Sequence, residues 1–67
     1  MTREEVQTKA YEIGIQEANK QGCIVAPFQS KQLMKLIGVN NGKAQIIMVA
    51  FNNGVACEIN RQTRLEF

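Results

Sequence analysis

The stretch from Ala44 to Phe67 constrains this chain most, because Asn52-Asn53-Gly54 sits in its middle with apolar residues on both sides. An Asn-Gly pair flanked by hydrophobic runs is a strong short-range signal for a β-hairpin. From Val55 the odd positions read Val55, Cys57, Ile59, Arg61, Thr63, Leu65 and Phe67. The even positions read Ala56, Glu58, Asn60, Gln62, Arg64 and Glu66. Strand side chains point alternately to opposite faces, so this period of two predicts one buried and one wet face. In the arm before the turn both sets are apolar: Ala44, Ile46, Met48 and Ala50 alternate with Ile47, Val49 and Phe51. Both faces of that arm need cover.

Two registers are open. A two-residue type I′ turn at Asn53-Gly54 sets Met48 opposite Ile59, whereas a three-residue loop with Gly54 left-handed sets Ile47 opposite Ile59. The second is preferred, because it gathers Ile47, Val49, Phe51, Val55, Cys57 and Ile59 on one face. Ile46, Met48 and Ala50 then share the other face with Glu58 and Asn60, which calls for cover by a helix or a second copy of the chain.

Upstream, Thr2 followed three residues later by Glu5 is a capping-box pattern, and it predicts a helix from Arg3 to Gln21 with Gly22 in the left-handed position after it. Its apolar stripe of Val6, Ala10, Tyr11, Ile13, Gly14, Ile15 and Ala18 is wider than one neighbour needs. Within it, Ala10, Gly14 and Ala18 form a line of small residues that lets another backbone approach. That line is either a subunit seam, joined by Ile46 and Met48 on the hairpin, or a groove lying on the chain's own sheet. Cys23-Ile24-Val25-Ala26 is a third short strand or a buried connector, and Pro27 ends any helix running into it. Ser30 caps a second helix, Lys31 to Ile37, closed by Gly38. The expected fold is therefore α+β: N-terminal amphipathic helix, short second helix and C-terminal antiparallel hairpin, in two layers and one domain over 1–67.

A chain of 67 residues buries only about 60% of its unfolded surface, so oligomerisation is expected to complete the fold. Cys23 and Cys57 both lie in apolar runs and read as buried, reduced thiols. Two cysteines and no histidine cannot furnish an ordinary four-ligand zinc site in one chain, although two chains could offer four thiolates; no metal or cofactor is expected. No charged-then-apolar leader opens the sequence, and no apolar run approaches the ~20 residues that span a bilayer. A cytoplasmic location and no membrane partner are expected.

Catalytic chemistry finds little support. Histidine and aspartate are both absent, which leaves acid–base work to six glutamates placed mostly on wet faces. No catalytic residue is assigned. The five glycines form no phosphate-binding motif. A small anionic ligand could sit at the start of the second helix, where Phe28, Gln29, Ser30 and Lys31 offer a ring, an amide, a hydroxyl and a cation; ordinary capping beside a core phenylalanine explains the same residues. For nucleic acid, Lys31, Lys35, Lys43, Arg61 and Arg64 could gather on one side, although aromatic interleaving is missing and the net charge is only +2.

Two functions are carried forward. The first is a non-enzymatic, homo-oligomeric binding or inhibitor module that occupies a partner protein or sequesters a small ligand, a kind of chain that phages and mobile elements often encode. The second is a small nucleic-acid-binding regulator using the five basic residues.

Overall fold

A computed structural model describes residues 2–65, and among them every regular element is helical. Helix α1 spans Arg3–Gln21, a single 3₁₀ turn covers Pro27–Gln29, α2 spans Lys31–Val39 and α3 spans Ala44–Leu65. No strand occurs among the described residues. The α+β class, the two-layer arrangement and the hairpin are thus overturned, and Asn52-Asn53-Gly54 lies in the middle of α3. Glu66 and Phe67, placed at the end of the expected second arm, fall outside the described residues.

The physical reason is visible in α3 itself. Its buried positions are Ile47, Ala50, Phe51, Gly54, Val55 and Glu58, the i, i+3, i+4, i+7, i+8, i+11 series of one helix face. Asn52 and Asn53 are exposed on the opposite side. Gly54 serves packing rather than turning: a Cβ there would strike the carbonyl oxygen of Tyr11 and lie 3.1 Å from its carbon. Gly14 has the reciprocal position, where a Cβ would strike the carbonyl oxygen of Phe51 and lie 3.1 Å from the Val55 nitrogen. Two helix backbones meet at these glycines, which offsets their cost of about 1 kcal/mol each in helix propensity.

The helices α1 and α3 run in the same direction. Arg3 and Gln7 at the start of α1 adjoin Gln45 and Ile46 at the start of α3, and Asn19 near the end of α1 reaches Glu58 near the end of α3. Two parallel helices need a return segment, and residues 22–43 supply it, with α2 running back along the pair. The broad interface is between α1 and α3, while α2 leans on both along narrower strips. Val6, Ala10, Ile13, Ala18, Val25, Leu33, Leu36, Ile47, Phe51 and Val55 make one continuous core.

The helix ends follow their sequence signals closely at α1. The Thr2 hydroxyl accepts the Glu5 N–H at 3.2 Å and the Glu5 carboxylate accepts the Thr2 N–H at 3.3 Å, while Gly22 has φ 72° and donates to the Ala18 carbonyl. These bonds hold the Glu5 carboxyl below its ordinary value. Ser30 caps α2 as expected, accepting the Leu33 N–H at 3.2 Å. The other end differs: Gly38 lies inside α2, which continues to Val39. Asn40 closes it by donating from Nδ2 to the Leu36 carbonyl at 2.9 Å. Residues 23–26 form no strand; Val25 is buried and Ile24 is exposed.

Candidate functional site

An open groove of about 610 Å³ lies between α1 and α2. Ile13, Leu36 and Val39 give it an apolar floor, and Lys9, Glu12 and Lys35 stand along its rim. Ile13 and Leu36 also belong to the core, so the floor is anchored. Val39, at 77% exposure, extends it into solvent. The groove accounts for the wide stripe of α1: one part meets α3, and the part carrying Ile13 turns towards α2. The width of that stripe was the sequence signal for this site. The partner helix was expected over Lys31 to Ile37, and only Val39, past the expected stop at Gly38, was missed.

The residues of the expected anion site are placed close together but mostly occupied locally. Ser30 is buried and its hydroxyl caps α2, and Gln29 Oε1 accepts the Ala26 N–H at 3.0 Å. Lys31 is exposed. Phe28 is 78% exposed, so its reading as a core phenylalanine is overturned.

The five basic residues do not form one cluster, because Lys43 stands at the opposite end of α3 from Arg61 and Arg64. Lys43 precedes the first turn of α3, and Arg61 lies 18 positions later, about 27 Å along a helix rising 1.5 Å per residue. Arg61 and Arg64 share the end of α3, and Lys31 stands at the start of α2. Arg61 is also committed to Glu58. Its Nε donates to Glu58 Oε1 at 2.6 Å and a terminal nitrogen donates to Oε2 at 2.9 Å. Asn19 Nδ2 donates to the same carboxylate from α1 at 3.2 Å. The Arg61 bonds, aided by Asn19, hold the Glu58 carboxyl down at about 2 despite burial. Glu58 is a structural acceptor that fastens α1 to α3.

The small-residue line Ala10, Gly14 and Ala18 is buried within the chain, against α3. Ile46 and Met48 are half-buried on α3. The sheet face that called for a second copy does not exist among the described residues. Both cysteines are exposed, so their reading as buried thiols is corrected. A helical α3 turns Cys57 one position away from the inward-facing Glu58. The nearby Cys57 thiol raises the Tyr11 phenol above its ordinary value.

Among the described residues no group of three Cys or Glu side chains converges as a metal site would require. Compared with family models, curated proteins and solved structures, the chain matches none.

Proposed function

We propose that this chain is a non-catalytic binding module that occupies a partner protein by seating an amphipathic helix of that partner in the α1–α2 groove. The observation that carries this reading is the groove's construction: an anchored apolar floor of Ile13 and Leu36, extended by exposed Val39, between two helices with charges of both signs along the rim. A helix laid there would bury apolar residues at i, i+3, i+4 and i+7 spacing and pair its flanks with Lys9, Glu12 and Lys35. The poverty of acid–base and nucleophilic groups in the sequence points the same way.

The test is affinity capture with the full chain and its Val39→Glu variant in parallel, followed by cross-linking to locate the contact. The expected result is one partner retained at high salt by the parent chain, cross-linked through Lys9 or Lys35, and lost with Val39→Glu. Retention of the same partner by both forms would sink the proposal. A dimer in native mass spectrometry that Val39→Glu dissolves would assign the groove to a second copy instead.

A further inference from the structure

The end of the molecule where α1 and α3 finish brings together groups that lie far apart in sequence. Lys20 is in the last turn of α1, Lys31 opens α2, and Arg64 is in the last turn of α3. The Asn19–Glu58 bond brings the end of α1 against the last part of α3, and Ile24, Val25 and Gln29 of the connector adjoin Glu17 and Gln21 at that end of α1. Lys20, Lys31, Arg61 and Arg64 are all exposed. The connector at the same end carries two of the most exposed apolar side chains, Ile24 at 76% and Phe28 at 78%. Of the acids nearby, Glu58 is buried and bonded to Arg61, and Glu17 is half-buried.

We propose that this end docks on the surface of an anionic lipid bilayer, with Ile24 and Phe28 entering the interfacial layer and Lys20, Lys31 and Arg64 facing the headgroups. Charge complementarity selects the occupant's sign, and the apolar pair selects its kind. Apolar side chains gain by leaving water for the headgroup boundary, and each basic residue near an anionic leaflet adds to the attraction. Single-stranded nucleic acid fits less well, because bases stack on aromatic faces and Ile24 has none. No helix among the described residues is long and apolar enough to cross a membrane. Surface docking needs no such helix, so the expectation of no membrane partner, which rested on the lack of a spanning run, does not bear on it.

The experiment is co-sedimentation of the full chain with vesicles of phosphatidylcholine alone and of phosphatidylcholine containing one-quarter phosphatidylserine. Binding is expected only to the second, and it should weaken as salt rises. Ile24→Ser with Phe28→Ser should lower the partition coefficient at least about tenfold. Lys20→Glu with Lys31→Glu should lower it about fivefold or more per lysine. Far-UV circular dichroism checks that each variant is folded; if the serine pair unfolds, the glutamate pair, confined to exposed side chains, decides. Val39→Glu should leave vesicle binding unchanged, which separates this surface from the groove. Absence of binding to the anionic vesicles at low salt, or binding indifferent to both variant pairs, would overturn the proposal. So would binding of a single-stranded oligonucleotide through these residues by a chain that ignores vesicles.

Discussion

Gly14 of α1 and Gly54 of α3 lie against each other's helix backbones, so that each removes the side chain that would otherwise hold the two helices apart. Gly14→Ala and Gly54→Ala should therefore each destabilise the chain by about 1–3 kcal/mol, because overpacking against backbone outweighs the gain in helix propensity. Gly38 is the internal control. It lies within α2 with nothing inside 4 Å of a Cβ, so Gly38→Ala should stabilise by about 0.5–1 kcal/mol. Urea unfolding midpoints of the three variants check the opposite signs.

Asn52 distinguishes a helix from a turn directly. It is exposed in mid-α3, where alanine is the better helix former, so Asn52→Ala should raise stability by about 0.5 kcal/mol and deepen the helical circular dichroism signal. Loss of stability in this variant would restore a turn at 52–54.

Glu58 sets an acid limit on stability. Its carboxyl titrates at about 2 in the folded chain against an ordinary 4.5. A depressed folded value means that the stabilisation is fully present above 4.5 and is lost as pH falls towards about 2. Glu5, held down by Thr2, adds a smaller part of the same sign. Thermal midpoints across that window should fall steeply for the parent chain and more shallowly for Glu58→Gln. Parallel curves would remove Glu58 from the α1–α3 fastening.

Exposure of both cysteines predicts that a disulfide-based thiol reagent titrates Cys23 and Cys57 in the native chain without denaturant. Cys57→Ala should leave one reactive thiol and return the Tyr11 phenol towards its ordinary value, read as a shift in its absorbance titration. Thiols that react only after unfolding would place both cysteines inside.

Local signals whose partners lie within one turn were legible. The capping box of Thr2 and Glu5, the left-handed Gly22 and the Ser30 cap each need only neighbouring backbone, and α1 begins and ends where they put it. The groove was half legible, as a stripe on α1 too wide for one neighbour.

Local chemistry along the chain decides the two helix starts, the length of α1 and the surplus of apolar surface along it. What Ala44–Leu65 would become was left to tertiary structure. Its residues satisfy a period of two and a period of 3.6 at once, and Asn-Asn-Gly suits a turn in isolation. The choice falls to the helix because Ile47, Phe51, Gly54, Val55 and Glu58 meet α1 together, Gly54 allowing the backbones to touch and Glu58 receiving Asn19. Those contacts join residues some forty positions apart, and no window along the chain contains both sides of them.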